Sequence, residues 1–489
     1  REVVARGVAA SPGAAAGRIV FSAAAAQASA ARGEPCVLVR RETAPEDIRG
    51  MHAAVAVLTE RGGMTSHAAV IGRGMGLPCV VGASSMRFQM NKGQLTAPDG
   101  RVLKEGDEIT VDGTNGIVLM GQAALLDAGH DESFLVLMDW ADELRDINVR
   151  ANADTPADAL VARNFKAQGI GLCRTEHMFF EEGRLTVMRE MIFAGTPADR
   201  AAALERLLPM QRADFADLFR IMQGQPVCIR LLDPPLHEFL PTDRAGHREL
   251  AEALDLPLSV VTRRVEALGE YNPMLGMRGV RLGITVPEIY DMQARAIFLA
   301  TLDVLDDGTS IIPEIMIPLV SARREVELVK ARIDAVASAV RTETGRKFNY
   351  RLGVMVETPR AALRAAEIAP LVSFLSFGTN DLTQMTYGLS RDDAGRFMSE
   401  YVQQGVYPED PFHTLDIDGV GELLTIGAER GRAAGGRDLT LSICGEHGGN
   451  PESIAFCRAA GFDYVSCSPF RVPVARLAAA QLAIWDKIG

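Results

Sequence analysis

Long apolar runs and an excess of basic charge are both missing from this sequence of 489 residues. No apolar run approaches the roughly 18 residues that a membrane-spanning helix needs, and residues 1–21 lack the charged-then-apolar pattern of a secretory signal. The net charge is -12, which disfavours nucleic acid and anionic membranes as partners because both bind basic surfaces. These absences predict a soluble, cytoplasmic protein that binds neither nucleic acid nor a membrane.

Cysteine is scarce, with seven scattered residues and no spacing typical of a zinc site. We therefore expect reduced thiols rather than a disulfide framework. The chain begins with Arg1 instead of methionine, from which we expect that upstream sequence was removed or not included. A hydrophobic content of 47% in a chain of this length predicts large cores divided among two or three domains.

Residues 1–121 predict a small, β-rich α/β domain. Short β-like runs are separated by turn signals, and one helix is predicted over 66–74 after two glycines. A polar segment then interrupts the pattern, so we expect a linker or hinge at 122–133. The predicted strands of this first domain are Arg18–Phe21, Cys36–Val39, Val55–Leu58 and Glu108–Val111.

Residues 134–489 have a different sequence pattern, in which short apolar runs alternate with longer helical segments. Eight parallel strands with intervening helices predict a closed (β/α)₈ barrel of the TIM type, with its reacting groups just beyond the strand carboxyl ends. The eight predicted strands are Ile147–Ala151, Gly169–Leu172, Val227–Leu231, Gly279–Leu282, Glu314–Ile317, Leu352–Val356, Phe374–Phe377 and Leu439–Ile443. Polar residues follow several of these runs, which predicts that they converge on one pocket: Arg174, Asp233, Glu357, Asn380, Asp381 and Cys444–Glu446.

The string Gly62-Gly63-Met64-Thr65-Ser66-His67 carries the clearest signal of the first domain. The glycines permit a tight turn, Thr65 or Ser66 can cap the helix, and the first-turn N–H groups would then face an anion on His67. Imidazole is a competent nucleophile near neutral pH. From the residues alone, a phosphoryl carrier and an ordinary packed histidine at a helix start are equally good interpretations.

The barrel candidates have a chemistry that suits an anionic substrate. Arginine recognises phosphate and carboxylate with two parallel hydrogen bonds, although most arginines only form surface ion pairs. Two carboxylates on adjacent strand ends, Glu357 and Asp381, would suffice for Mg²⁺, which keeps water and substrate oxygens in its shell. Cys444 would serve as a general acid if it lay over a reacting carbon, whereas most cysteines are buried structural residues.

The string from Gly62 to Gly76, GGMTSHAAVIGRGMG, closely resembles the phosphohistidine signature of the pyruvate, phosphate dikinase family of phosphoenolpyruvate-utilising enzymes, and the resemblance extends over nearly the whole chain. It implies a swivelling phosphohistidine domain followed by the barrel, a homodimer formed through the barrel, and phosphoryl transfer between phosphoenolpyruvate and His67. The matching barrel motifs imply that Glu357 and Asp381 bind Mg²⁺ and that Cys444 protonates the enolate to give pyruvate. They also imply substrate contacts for Arg174, Arg230, Arg278, Glu357, Gly378, Thr379, Asn380 and Asp381.

Two departures from the family pattern limit this expectation. Met277 stands where the family usually has histidine, and nothing in the chain resembles the family's nucleotide-binding ATP-grasp domain. We therefore expect only the half-reaction on the pyruvate side, with a nucleotide-binding domain either removed or supplied by another chain. The alternatives are transfer to a small carrier protein, as in enzyme I of the sugar phosphotransferase system, and a non-catalytic sensor of phosphoenolpyruvate.

Overall fold

The computed structural model describes residues 2–44, 47–63, 66, 68–69, 71–72, 76–123, 132–180, 182–308, 310–394 and 397–488. The chain divides into two compact units, Arg1–Phe134 with Gly395–Phe397, and Leu135–Ala394 with Met398–Gly489. No helix among the described residues combines the length and the apolar character that a membrane span requires.

The first unit is built on a mixed sheet of eight strands. In the order of their pairing they are β1, β11, β10, β3, β4, β5, β6 and β2, and a separate sheet holds β7, β8 and β9. The strands are β1 (Val3–Arg6), β2 (Val8–Ser11), β3 (Ala14–Val20), β4 (Cys36–Arg40), β5 (Ala56–Thr59), β6 (Cys79–Val81), β7 (Arg87–Gln89), β8 (Gln94–Thr96), β9 (Val102–Lys104), β10 (Glu108–Asp112) and β11 (Ile117–Met120). The helices are α1 (Ala23–Ala31) and α2 (Ile48–Ala53), with a 3₁₀ turn at Met90–Lys92.

Both faces of the central strands are buried. Val37 and Val39 of β4 belong to one hydrophobic core, whereas Cys36 and Leu38 belong to the core on the opposite face. Strands covered on both faces read as continuous apolar runs, which is why all four predicted strands of this unit are found at the expected places, displaced by a few residues at their ends. Of the helix predicted over 66–74, Ala68, Ala69, Ile71 and Gly72 are helical, whereas Ser66, the remaining described residue, lies in a bend.

The second unit is a closed barrel of eight parallel strands, each paired with the next along the chain. The last strand pairs with the first, with Asn148 opposite Tyr464, and this pairing closes the barrel. The strands are β12 (Asn148–Asn152), β13 (Ile170–Arg174), β14 (Val227–Arg230), β15 (Pro313–Ile317), β16 (Arg351–Val356), β17 (Phe374–Phe377), β18 (Thr440–Ile443) and β19 (Tyr464–Cys467). The predicted (β/α)₈ class is confirmed.

Helices surround the barrel and cover its strands. They are α3 (Glu132–Leu144), α4 (Pro156–Asn164), α5 (Glu182–Phe193), α6 (Pro197–Ile221), α7 (Arg244–Ala253), α8 (Leu258–Leu268), α9 (Val280–Thr285), α10 (Glu288–Asp306), α11 (Arg323–Thr344), α12 (Pro359–Leu363), α13 (Ala365–Ile368), α14 (Thr379–Tyr387), α15 (Arg391–Ala394), α16 (Met398–Gln403), α17 (Glu422–Gly435), α18 (Pro451–Ala459) and α19 (Val472–Ile488). Shorter turns occupy Thr175–Phe179, Leu236–Phe239, Ala369–Leu371, Ile417–Gly421, Glu446–Gly449 and Pro469–Arg471.

One predicted strand is wrong, and one strand escaped prediction. The run Gly279–Leu282 is not a strand: Gly279 has φ 56°, and Val280–Thr285 then forms a short helix. A short apolar run has the same appearance in a buried strand and in a buried helix, so periodicity cannot separate them. The eighth strand is Tyr464–Cys467, and Cys444 consequently follows the seventh strand of the barrel rather than the eighth.

Candidate active site

Most of the predicted site residues lie at the carboxyl ends of the barrel strands. Arg174 and Arg230 are the last residues of β13 and β14, Glu357 directly follows β16, and Cys444 directly follows β18. Gly378 follows β17, and Thr379, Asn380 and Asp381 form the first turn of α14. Because parallel strands end at the same mouth of a barrel, the fold gathers these side chains on one side of the molecule.

Arg278 reaches the same group from the loop that precedes α9. Its Nη2 lies 3.0 Å from Oδ2 of Asp381, and its Nε donates to Oδ1 of Asp233 at 3.3 Å. Arg278 therefore joins the loop after β14 to the first turn of α14, although it follows no strand itself. Met277, the neighbouring residue, is half exposed and its sulfur accepts a hydrogen bond from Thr285 at 3.3 Å.

Arg230 is buried between two carboxylates. Its Nη1 lies 3.0 Å from Oδ2 of Asp233, and its Nη2 donates to Oε1 of Glu176. Arg230 Nε and Glu176 Oε2 are also buried, and neither has a hydrogen-bond partner among the described residues. Buried polar atoms are nearly always satisfied, so these two atoms mark a place where a polar ligand or water would complete the arrangement.

Arg174 is held by Asp154, which lies two residues beyond β12. The backbone N–H of Arg174 donates to Oδ1 of Asp154 at 2.6 Å, and Nη1 donates to Oδ2 at 3.3 Å. The imidazole Nδ1 of His177 lies 2.8 Å from the same Oδ2. Burial favours a raised pKa for Asp154, but the charge of Arg174 and the hydrogen bond from His177 outweigh it and lower the pKa to about 2.

Glu357 has the opposite electrostatic environment. It is 2% exposed, and burial together with the negative charges of Asp381 and Asp233 raises its pKa well above the ordinary value. Its Oε1 accepts a hydrogen bond from the backbone of Leu319 at 2.7 Å, and Leu319 has φ 57°, a left-handed conformation that costs free energy for a branched residue. The strained backbone at Leu319 thus orients the Glu357 carboxylate, and this hydrogen bond comes from a neutral peptide group rather than from a charged side chain.

This environment suits a divalent cation. Three arginines face five carboxylates at the mouth, so negative charge is in excess around Glu357. No group of three or more His, Cys, Asp or Glu residues in the described parts of the chain could hold a metal ion unaided. The donor set fits an ion that takes two carboxylates from the protein and fills its shell with water and substrate oxygens, as Mg²⁺ does.

The thiol of Cys444 is 2% exposed, and burial raises its pKa to about 11. It is therefore a protonated acid through the neutral pH range. Its backbone N–H donates to the carbonyl of Phe377 at 3.1 Å, and its carbonyl accepts from Nδ2 of Asn152 at 3.2 Å. Strand pairing and one side-chain amide thus hold the cysteine at the barrel mouth.

Thr379 and Asn380 connect α14 to the loop after β18. The fully buried Thr379 hydroxyl lies 2.7 Å from Nδ1 of His447, and Asn380 Oδ1 accepts from the backbone of Glu446 at 3.2 Å. Gly378 lies against Glu357, because a Cβ at this position would be 2.8 Å from Glu357 Oε2. These contacts tie Gly378, Thr379 and Asn380, which are predicted to contact the substrate, to Glu357 and to the loop that carries Cys444.

Sequence reasoning missed the partners that hold the arginines. Asp233 was recognised as a strand-end residue but not as a site residue, and Asp154, Glu176, His177 and His447 were not singled out. The rule of polar residues beyond strand ends would have found Asp154, since it follows β12 closely. His67, the proposed phosphoryl carrier, lies outside the described residues, as does most of the predicted hinge at 122–133.

The fold is a (β/α)₈ barrel whose carboxyl mouth gathers three arginines and several carboxylates, a setting that suits an anionic ligand. Two family models match the chain: "PEP-utilising enzyme, PEP-binding domain" over residues 130–484 and "PEP-utilising enzyme, mobile domain" over residues 32–116. The chain belongs to the phosphoenolpyruvate-utilising enzymes.

Similar proteins include a pyruvate, phosphate dikinase of Rhizobium meliloti (strain 1021), which is 56% identical over 99% of this chain and 54% of its own length. Chloroplastic pyruvate, phosphate dikinases of Flaveria pringlei and Flaveria bidentis are 53% and 52% identical over 99% of this chain and about half of their own lengths. The chain spans about half the length of the curated relatives it matches.

Proposed function

We propose that this chain transfers a phosphoryl group between phosphoenolpyruvate and His67, which is the pyruvate-side half-reaction of a pyruvate, phosphate dikinase. The observation that carries the proposal is the convergence of Arg174, Arg230 and Arg278 on one barrel mouth, next to a buried thiol and an uncompensated carboxylate. Phosphoenolpyruvate is polyanionic, and guanidinium groups held in place can form two parallel hydrogen bonds with its phosphoryl and carboxylate groups.

Each group has a definite part in the proposed reaction. The imidazole of His67 attacks phosphorus, the P–O bond to the enol oxygen breaks, and the resulting enolate takes a proton at its methylene carbon from the Cys444 thiol. The arginines stabilise the negative charge on the phosphoryl oxygens and on the enolate oxygen. Gly378, Thr379 and Asn380 are proposed to contact the substrate.

Glu357 and Asp381 are proposed to hold Mg²⁺. When bound, this ion would supply positive charge to the enolate oxygen and to a phosphoryl oxygen. The excess of carboxylate at this position supports the assignment.

The proposal also extends to domains and partners. Direct transfer requires that His67 reach the barrel mouth during the reaction, and we propose residues 122–133 as the hinge between domains at 1–121 and 134–489. A nucleotide-binding domain, in the same polypeptide or in another, would complete the dikinase reaction. A homodimer formed through the barrel is proposed from the family resemblance. A cytoplasmic location is proposed from the residues of the chain itself: all seven cysteines are free thiols, as a reducing compartment would allow.

The test is the release of pyruvate when the chain is mixed with phosphoenolpyruvate and Mg²⁺ without nucleotide, followed by a lactate dehydrogenase assay. We expect one pyruvate per chain, and a loss of this burst in Arg278→Met. Arg332→Met is the matched control, because Arg332 forms an ion pair with Asp291 on the outside of the barrel. Binding of phosphoenolpyruvate without any pyruvate would contradict the proposal and favour a sensor.

A further inference from the structure

Arg278 reaches the site from a loop without regular secondary structure. Residues 269–279 join α8 to α9, and Arg278 lies near the end of this segment. The apolar side chains of the loop remain outside the core, since Tyr271 is fully exposed and Leu275 is 59% exposed. Burial of apolar surface therefore does not hold the loop in place, and polar contacts have to set the position of Arg278.

The side chain of Glu270 joins the beginning of this loop to its end. Its Oε1 accepts a hydrogen bond at 2.7 Å from the backbone N–H of Met277, which is seven positions further along the chain. Met277 directly precedes Arg278, so the bond fixes the backbone from which the arginine side chain extends. Glu270 therefore contacts the arginine only through the peptide chain and does not need to touch a ligand itself.

The second carboxylate oxygen of Glu270 lies against Gly276. A Cβ on Gly276 would overlap Oε2 of Glu270, so the carboxylate occupies the space of a side chain. Gly276 has no positive φ, and the close approach of Glu270 is therefore the reason for glycine at this position. Oε2 itself is buried and has no hydrogen-bond partner within the described parts of the chain. Such an oxygen destabilises a fold, so stability alone does not account for Glu270.

A second side chain, Arg281 of α9, holds the same short piece of backbone. Its Nη1 donates to the carbonyl oxygen of Leu275 at 2.9 Å and to that of Gly276 at 2.8 Å. Arg281 thus binds the carbonyl groups of the segment before Arg278, whereas Glu270 binds an N–H group of that segment. The backbone leading into Arg278 is therefore fixed by two charged side chains rather than by its own packing.

We infer that Glu270 is a positioning residue that holds Arg278 in place to bind phosphoenolpyruvate. The inference rests on the proposed function, in which Arg278 binds the anionic substrate. The Arg278 side chain is 12% exposed and forms ion pairs with Asp233 and Asp381, so its guanidinium has a defined place among the carboxylates. Binding groups lose much of their effect when they are displaced by about 1 Å. Glu270 prevents such a displacement because it closes the loop immediately before the arginine.

The test measures the affinity for phosphoenolpyruvate by calorimetric titration in the presence of Mg²⁺. Glu270→Ala removes the acceptor for the Met277 N–H, and we expect affinity to fall about 10-fold, the equivalent of one hydrogen bond to a charged group. Glu270→Gln keeps a carbonyl oxygen at the same place and should restore most of the affinity. Gly276→Ala should reproduce the loss seen in Glu270→Ala, because its Cβ would displace the carboxylate.

A double-mutant cycle separates positioning of Arg278 from a general loss of structure. In the Arg278→Met background, the additional change Glu270→Ala should leave the affinity unchanged, because the arginine through which Glu270 acts is gone. The matched control is Asp463→Ala, which also removes a carboxylate acceptor 2.7 Å from a backbone N–H, that of Leu441, at the amino-terminal end of the barrel strands. This control should unfold at a lower temperature but bind phosphoenolpyruvate as the parent does.

The possible results distinguish this inference from the proposed function. Parent affinity in Glu270→Ala, or an equal loss of affinity in the parent and Arg278→Met backgrounds, would overturn the inference and leave the proposed function intact. If Glu270→Ala does not fold, Gly276→Ala takes its place in the same cycle, with the same expected and contradicting results. A parent protein that neither binds phosphoenolpyruvate nor releases pyruvate would overturn the proposed function, and this inference with it.

Discussion

Replacing Asp154 with asparagine should weaken phosphoenolpyruvate binding without any change in a group that touches the substrate. Asp154 holds Arg174 through the backbone N–H at 2.6 Å and through Nη1 at 3.3 Å. Asparagine has nearly the same shape, so it can keep one hydrogen bond, but it has no charge to neutralise the guanidinium. The Arg174 guanidinium would then lose the charged partner, Asp154, that is proposed to orient it toward the substrate.

The size of the effect follows from the electrostatics of the pair. The pKa of Asp154 falls from 3.8 to about 2, and each unit corresponds to about 1.4 kcal/mol, so ionised Asp154 stabilises the fold by roughly 2.5 kcal/mol. Because the folded pKa is lowered, this stability is fully present above about pH 4 and is lost as pH falls toward 2. If half of this free energy serves to orient Arg174 for phosphoenolpyruvate, the affinity for phosphoenolpyruvate falls about 10-fold.

The assay is calorimetric titration of phosphoenolpyruvate into parent and variant proteins at pH 7, with thermal unfolding measured in parallel. Asp142→Asn is the matched control, because Asp142 pairs with the buried Arg476 on the outer helices. Both variants should unfold at lower temperature, but only Asp154→Asn should lose affinity. Equal affinity in parent and Asp154→Asn would refute the idea that Asp154 positions a substrate-binding arginine.

Three further predictions concern the same site. Cys444→Ala should bind phosphoenolpyruvate normally but form pyruvate about 100-fold more slowly, as stopped-flow assays would reveal, because a general acid contributes ~10²–10⁴-fold; an unchanged rate would remove Cys444 from the chemistry. Glu357→Gln should fold at least as well as the parent, since the glutamate is buried with a raised pKa, yet lose Mg²⁺ affinity by calorimetry; retained affinity would exclude it as a ligand. Gly378→Ala should weaken Mg²⁺ binding as well, because its Cβ would lie 2.8 Å from Glu357 Oε2. Gly195→Ala should leave Mg²⁺ binding unchanged, because Gly195 has nothing within 4 Å and no positive φ.

The barrel could be predicted because the same sequence pattern, a short apolar run followed by a helical segment, recurs along the chain. Strands such as β15 and β17 are buried on every residue and read as short apolar runs between helical patterns, so their positions follow from composition alone. The polar residues beyond those runs are equally visible, because a parallel barrel collects its strand ends at one mouth. Arg174, Glu357 and Cys444 are predicted at strand ends in this way, and the structure has them there.

The partners of those residues could not be predicted because they depend on distances across the barrel. Glu176 meets Arg230 from 54 positions away in the sequence, and Arg278 meets Asp381 from 103 positions away. Nothing in a local pattern indicates which carboxylate will face which arginine. The error at Gly279 has a local cause instead, since a glycine with positive φ turned an apolar run into a helix.

The most direct test of the central claim is incubation of the chain with ³²P-phosphoenolpyruvate and Mg²⁺, beside the variant His67→Ala. The account predicts an acid-labile label on the protein, equal in amount to the pyruvate released, and no label on the variant. Tight binding of phosphoenolpyruvate without label on the parent, or label that persists in His67→Ala, would contradict it.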